Sequence, residues 1–354
     1  MKESVMSYTP KRTVKGDVIT MAHGSGGKAM RDLIEDVVLG AFYNPELAQL
    51  EDQARIDLAE LVAQGNRLAM TTDSYVVDPI EFPGGDIGTL AVNGTVNDIA
   101  MSGAKPLYLS CGLIIEEGLE IDTLRRILLN MRKAADQAGV QIVTGDTKVV
   151  NRGKADKLFI NTTGVGVIPE GADISASRAQ PGDKVIVNGY VGDHGAVILN
   201  ARGDLMLEVE LETDCQPLNG LVECMREVCP DIHCLRDASR GGVATVLNEF
   251  AESSGVAIRL QEADIPVRNE VRGVCEILGL DPLHFANEGK LVAIVPADKA
   301  GTVVEAMRQH PAGQGSAIIG EVESGPAGRV TLQTGLGGGR ILDMLIGEQL
   351  PRIC

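Results

Sequence analysis

The feature that most limits what this chain can fold into is an alternation of short apolar runs with amphipathic helical stretches, repeated in both halves. In the first half, residues 28–42 place Met30, Leu33, Ile34, Val37 and Val38 at helical spacing, closed by Asn44-Pro45. Residues 67–71 read as a buried strand ending in Thr72-Asp73. Residues 87–100 start apolar and run into Asn97-Asp98, which reads as a helix start. Residues 124–138 form an amphipathic helix on Leu124, Ile127, Leu128 and Met131, with Gly139 placed to end it. Residues 140–144 are a strand followed at once by Gly145-Asp146-Thr147, and residues 158–168 alternate as a strand does.

From 169 to 182 the chain turns polar and rich in Pro, Gly and Ser, which marks a domain boundary. A second series follows: strand 184–188, helices near 196–200, 218–228 and 243–252, strand 291–295, helix 299–309 and strand 330–333. The stretch between 201 and 215 carries no clear period. With 354 residues and no solenoid-type repeat, the pattern predicts a two-domain α/β (α+β) protein. A glycine-rich GLGGGR at 335–340 then leads to a tail ending in PRIC. The stretch beyond Gly339 spans at most about 45–50 Å when extended, enough to carry its tip into a cleft of the same molecule.

Composition excludes several function classes. A net charge of −17 repels polyanions, and an aromatic content of 3% without Trp offers no stacking platform, so nucleic acid and anionic membrane surfaces are not expected partners. No signal-like apolar segment opens the chain and no stretch approaches a membrane span. The seven cysteines are expected as reduced thiols. Cys215, Cys224, Cys229 and Cys234 cluster beside His233, but their gaps of eight, four and four residues include no C-x-x-C pair. Thiols on and around a helix are therefore favoured over a zinc site.

The chemistry-bearing positions lie in glycine- and serine-flanked segments. HGSGGKAM, with Gly24, Ser25, Gly26, Gly27 and Lys28 ahead of a helix, suits either a phosphate-binding nest or a simple cap, and it lacks P-loop spacing. Asp73 (TTDS) and Asp146 (TGDT) each follow a strand, Asp98 beside Asn97 (VNDIAMSG) sits at a helix start, and Asp237 in LRDASRGGV repeats the arrangement before a glycine pair and a helix. Each acid alone suits a cap or turn. Several together, without His or Cys beside them, suit a hard cation such as Mg²⁺ bridging them to nucleotide phosphates. Lys148 and Glu288 could do acid–base work, although a solvated lysine and a turn glutamate account for them equally well. Cys354 closes the chain, where packing alone would not call for a thiol.

HGSGG at 23–27, TTDSYVVDPIEFPGGDIG at 71–88, GTVNDIAMSGAKP at 94–106, IVTGDTKVV at 142–150, RDASRGGV at 236–243, FANEGKLV at 285–292 and the closing PRIC together resemble the HypE family of nickel–iron hydrogenase maturation proteins. That family is similar to aminoimidazole ribonucleotide (AIR) synthetase, selenophosphate synthetase and thiamine-phosphate kinase, which share the acid-rich loops but not the PRIC ending. The resemblance implies a 1–22 amino-terminal extension and a 23–170 domain whose sheet dimerises into a β-barrel. A 171–338 αβ domain and a flexible 339–354 tail follow. It also implies ATP in the interdomain cleft near the dimer interface, Mg²⁺ and phosphate at Asp73, Asp98, Asp146 and Asp237, nucleotide contacts at Asn97, and a phosphate-covering loop at Gly24, Ser25, Gly26 and Gly27. Lys148 and Glu288 match positions that handle protons near the modified thiol. The activity implied is ATP-dependent dehydration, in the cytoplasm, of a carbamoyl group carried on Cys354 to a thiocyanate. A HypF-like carbamoyltransferase would supply the group and a HypC–HypD-like iron scaffold would receive the cyanide. The cysteine run between Cys215 and Cys234 is not part of that pattern. Two other readings are a small-molecule synthetase of the same superfamily, which needs no terminal thiol, and a nucleotide-binding carrier that presents the cysteine without catalysis.

Overall fold

The computed structural model describes residues 12–203, 210–335, 337–345, 347 and 352–354. Residues 1–11 of the expected extension, and residues 346 and 348–351 of the expected tail, lie outside the described residues. Among the described residues, no helix is long and apolar enough to cross a membrane.

The first half builds a four-stranded sheet from β1 (Arg67–Tyr75), β4 (Lys105–Glu116), β5 (Gln141–Val150) and β6 (Leu158–Ile168), in the order β1-β6-β4-β5; a short pair, β2 (Glu81–Phe82) and β3 (Gly85–Asp86), stands apart. β6 runs antiparallel to both β1 and β4, whereas β4 and β5 are parallel. A parallel pair needs a crossover, and helix Ile121–Ala138 supplies it, burying Leu124, Ile127, Leu128 and Met131. The second layer is helix Ile87–Met101, apolar on nearly every side. Asp86 caps it, its Oδ1 accepting from the Thr89 N–H at 2.8 Å. This helix packs on β1, β4 and β6 and also meets strand Cys234–Asp237 and helix Asn219–Val228 of the second half, so it is an element shared by the two halves.

The second half builds a seven-stranded sheet in the order β13-β12-β9-β11-β7-β10-β8, using β7 (Lys184–Val187), β8 (Cys234–Asp237), β9 (Ala257–Gln261), β10 (Leu291–Val295), β11 (Ala317–Glu323), β12 (Arg329–Gln333) and β13 (Gly339–Ile341). β10 is buried at every position because helices cover both faces: Val292 and Ile294 join the core under helix Gly242–Ser254, while Leu291, Ala293 and Val295 join that under helices Asn219–Val228 and Ala297–Gln309.

Four expectations need correction. Residues 67–71 are not a buried strand: helices cover one face of the first sheet only, so Leu68 and Met70 point outward at 59% and 73% exposure. Asp73 and Asp146 lie within β1 and β5 rather than beyond them. Asn97 and Asp98 occupy the last turns of helix Ile87–Met101, not its start. Finally, residues 12–22 are no appendage, since Ile19 is fully buried and the Asp36 carboxylate accepts the N–H groups of Thr13 and Val14.

Candidate active site

Alternation along β1 turns Thr71, Asp73 and Tyr75 toward helix Ile87–Met101. Thr71 Oγ1 donates to Asp98 Oδ2 at 2.8 Å, and Asp73 and Asp98 meet side chain to side chain. Beneath Tyr75, whose hydroxyl bonds Thr95 Oγ1 at 3.3 Å, lies Gly94; a Cβ there would overlap the Tyr75 hydroxyl. A carboxylate near a helix C-terminus opposes the helix dipole, so the position of Asp98 has no structural rationale of its own. Across the domain junction, Asp237 ends β8 and Glu288 precedes β10. Burial, and then the charge of Asp98, push the Asp73 carboxyl up to about 6 and that of Asp237 to about 7. Burial and the charges of Asp237, Asp214 and Asp73 raise Glu288 well above the usual carboxylate range, and Glu288 Oε1 is buried without a hydrogen-bond partner. Arg240 opposes this field at Asp73 and Glu288.

The crowded, under-compensated oxygens of Asp73, Asp98 and Asp237 fit a hard divalent cation. Among the described residues, no three Asp, Glu, His or Cys side chains are grouped so that they could hold a metal ion by themselves. The set therefore suits an ion completed by ligand oxygens, as Mg²⁺ is with phosphates.

The junction is held by committed polar groups. Asn97 Oδ1 accepts the Leu218 N–H at 2.7 Å while its Nδ2 donates to the Gln216 and Glu288 carbonyls. Its amide is occupied in tying the two halves together. Asp214 Oδ1 accepts the Glu288 N–H at 3.0 Å, and its Oδ2 lies 3.0 Å from Lys290 Nζ, with both side chains buried. Asn287 Oδ1 accepts the Gly192 N–H at 2.7 Å. Asp237 leads into Gly241 and Gly242, both at positive φ; a Cβ on Gly242 would strike the Leu283 and Phe285 carbonyls.

The end of the tail is docked against this junction. Val76, the residue after β1, donates its N–H to the Cys354 carbonyl oxygen at 3.1 Å. Arg352 donates to the Val76 carbonyl and pairs with Asp156 at 2.7 Å, while Arg202 donates to the Arg352 carbonyl. Ile353 is buried in the first-half core. His194, wholly buried, places Nε2 2.8 Å from the Ile353 carbonyl and Nδ1 2.8 Å from Thr213 Oγ1. Burial lowers its pKa, so the ring is neutral.

Asp146 and Lys148 are not brought to these groups within one chain. The register Asp73↔Thr162, Asn161↔Gly112, Gly112↔Asp146 puts Asp73 and Asp146 on opposite edge strands at one level, three strand spacings or about 14 Å apart. Asp146 and Lys148 form an exposed ion pair at 2.7 Å on the outer face of the sheet. Asp146, Gly26, Gly27, Met30, Ile34 and Phe42 instead help line a cleft of about 630 Å³. Gly24 anchors the glycine loop here by close contact with Val149 of β5. Ser25 Oγ donates to the Ala22 carbonyl, and Ser25, Gly26 and Gly27 are exposed. The clustered cysteines disperse: Cys215 packs on the first-half core, Cys229 and Cys234 enter two different second-half cores, and Cys224 is half-buried.

Tyr75, His194, Thr213, Asp214, Lys290 and Arg240 escaped the sequence reading. Tyr75, Lys290 and Arg240 lie inside TTDSYVVDP, FANEGKLV and RDASRGGV, so those motifs held a signal for them. His194, Thr213 and Asp214 lie in segments with no period or motif.

Two sheets, a shared buried helix and a carboxylate cluster at the junction define a protein of the AIR synthase-related class. Residues 50–168 match the AIR synthase related protein N-terminal domain, and residues 180–333 match its C-terminal domain. The chain is 54% identical to carbamoyl dehydratase HypE of Rhodobacter capsulatus over 341 residues, 96% of this chain and 99% of the relative. It superposes on the crystal structure of the hydrogenase maturation protein HypE in complex with ATP with a TM-score of 0.89 at 51% identity, covering 94% of this chain and 99% of that one. A HypE–HypF complex structure matches with a TM-score of 0.76 at 46% identity, covering 88% and 99%. The chain belongs to the HypE family.

Proposed function

We propose that this chain is an ATP-dependent carbamoyl dehydratase whose substrate is the S-carbamoyl group on its own Cys354. The observation that carries the reading is the docked tip: a backbone oxygen of Cys354 accepts the N–H of Val76, next to Tyr75 and three residues along the chain from Asp73, so the end of the tail is held beside the strand that carries Asp73. The ATP complex of a 51%-identical relative and the name of the 54%-identical one support the same chemistry.

The carbamoyl oxygen is a poor leaving group as hydroxide. Its attack on the γ-phosphorus of ATP forms a C–O–P linkage and releases ADP, as one N–H proton departs. Cleavage of the C–O bond then expels phosphate and removes the second N–H proton, leaving Cys354–S–C≡N. Asp73, Asp98 and Asp237 would hold Mg²⁺, which when bound neutralises phosphate charge. Glu288, whose carboxyl burial and the neighbouring acids hold well above the ordinary carboxylate range, hydrogen-bonds the reacting group and relays protons as phosphate leaves. Arg240 faces the same charges and stabilises the transferred phosphoryl group. The cleft lined by Gly26, Gly27 and Asp146 takes the nucleotide, with Lys148 paired to Asp146 at its edge and Gly24 and Ser25 in the loop beside it.

The uncovered outer face of the first sheet, carrying Leu68, Met70 and Ile114, is the surface for homodimerisation. Such a dimer also brings the Asp146–Lys148 edge of one sheet toward another copy. The HypE–HypF complex of a relative supports a HypF-type carbamoyltransferase as donor of the carbamoyl group, and a HypC–HypD-type iron scaffold is the acceptor we expect for the cyanide.

Intact-protein mass spectrometry of the carbamoylated chain tests this reading. Loss of one water on adding ATP and Mg²⁺, absent in Cys354→Ala, is the expected result. A carbamoyl group that persists while ATP binds would overturn it.

A further inference from the structure

Hydrogen-bond direction around His194 is determined by its acceptors. The Ile353 carbonyl can only accept, so Nε2 carries the ring proton and Nδ1 must accept from the Thr213 hydroxyl. Thr213 Oγ1 in turn accepts the Cys215 N–H at 3.2 Å. The result is a one-way chain, Cys215 N–H to Thr213 O–H to His194 to the peptide immediately before Cys354. Between Thr213 and Cys215 stands Asp214, whose carboxylate holds the Glu288 N–H at 3.0 Å and faces Lys290. Three consecutive residues thus touch, on one side, the histidine that grips the tail and, on the other, the loop that carries Glu288. Phe82 packs edge-on against the imidazole with ring centroids 5.6 Å apart, and Thr213 N–H binds the Pro83 carbonyl at 3.0 Å, so the ring and its hydroxyl partner are both confined.

We propose that His194 and Thr213 are positioning residues that couple docking of the terminal cysteine to placement of Glu288. His194 reads the tail through the Ile353 carbonyl, with Val76 N–H gripping the backbone oxygen of Cys354, so the backbone on both sides of the Cys354 Cα is fixed. When the tail leaves, Nε2 loses its acceptor, and the Thr213–Asp214–Cys215 segment loses one of the contacts that orders it. The proposal rests on the reading that Cys354 carries the substrate, but its first test does not depend on ATP chemistry.

That test measures the rate at which iodoacetamide modifies Cys354, followed on the C-terminal peptide by mass spectrometry in the full-length protein. Thr213→Val keeps the volume but removes the hydroxyl that donates to Nδ1 and fixes the ring's orientation, so the ring's hold on the Ile353 carbonyl loosens. We expect Cys354 to react about five- to tenfold faster, the scale of one lost neutral hydrogen bond, and Thr213→Ser to restore the wild-type rate. His194→Gln, which can still donate to the carbonyl, should lie between wild type and His194→Ala. Wild-type rates in Thr213→Val and His194→Ala alike would overturn the proposal. Single-turnover dehydration of the carbamoylated variants tests the coupling separately. A slowed water loss in Thr213→Val that Ser restores supports it. Faster alkylation with unchanged water loss would overturn the link to Glu288. Absence of water loss in the wild type would instead overturn the proposed function, leaving the alkylation result to judge the grip on the tail.

Discussion

The buried pair Asp214–Lys290 gives a direct measure of how much the acid-rich junction depends on compensation. Lys290 Nζ lies 3.0 Å from Asp214 Oδ2, and the two side chains are 7% and 2% exposed. Lys290→Met preserves most of the aliphatic volume but leaves the Asp214 carboxylate buried beside a site already crowded with acids. Only the Glu288 N–H on Oδ1 remains from its close partners. Removing one member of a buried pair costs about 3–5 kcal/mol, a large part of a total stability of about 5–15 kcal/mol. At a urea slope of about 2 kcal/mol per molar, the midpoint should fall by about 1.5–2.5 M. The chain has no Trp, so far-UV circular dichroism is the suitable probe. Adding Asp214→Asn keeps an acceptor for the Glu288 N–H while removing the stranded charge, and should recover about half of the loss. A loss below about 1 kcal/mol in Lys290→Met, or no recovery in the double variant, would refute the argument that the pair is fully desolvated.

Three further outcomes follow from other contacts. Gly94→Ala forces the Tyr75 hydroxyl away from Thr95 and should cost about 1–3 kcal/mol; an unchanged thermal midpoint would show that the helix and β1 can separate there freely. Asp73→Asn removes a carboxylate that repels Asp98. The unliganded protein should melt no lower than wild type, whereas the extra stabilisation by ATP with Mg²⁺ over ATP with EDTA should shrink by more than about 1 kcal/mol in thermal-shift measurements. Burial raises the Asp36 pKa, but the Arg125 ion pair and the Val14 and Thr13 N–H groups outweigh it and hold the carboxyl below its ordinary value. A depressed folded pKa contributes stability that is complete at neutral pH and lost as pH falls through it, below about 4. Asp36→Asn should therefore cost about 1.5–3 kcal/mol at pH 7 by urea titration, with the difference from wild type closing in acid.

Where a segment buries one face in alternation, or is a short run buried on both, its pattern told its structure. β6 and β10 match their expected bounds residue for residue, the first because it alternates and the second because both of its faces are covered. Helix Ile121–Ala138 was legible from its apolar stripe. Helix Ile87–Met101 misled because it lies between two sheets and has no polar face; without a stripe, Asn97 and Asp98 looked like a cap rather than the end of a buried helix. β4 drew no assignment at all. It carries Pro106 and Gly112 in an otherwise apolar run, and the bulge near Pro106 and the β5 register shift break its alternation.

The acids were visible as a recurrence in Gly- and Ser-flanked segments, and only the structure shows that site acids also break local rules. Asp73 interrupts a strand, Asp98 sits at the wrong end of a helix for its charge, and Glu288 is a buried carboxyl with an oxygen left unsatisfied. Such violations concentrate at functional sites. The groups that make the violations tolerable do not stand out. Lys290, Asp214, Asn287 and His194 each satisfy a neighbour, and their meaning exists only once distant segments are adjacent: His194 binds Ile353 across 159 positions and Asp214 binds Glu288 across 74. The same division separates Asp146 from Asp73. Their motifs, TGDT and TTDS, look alike in the sequence, yet strand order puts them on opposite edges of one sheet. Reading both as ligands of a single ion is therefore a statement about topology, or about a second copy of the chain, that residue type alone could not make.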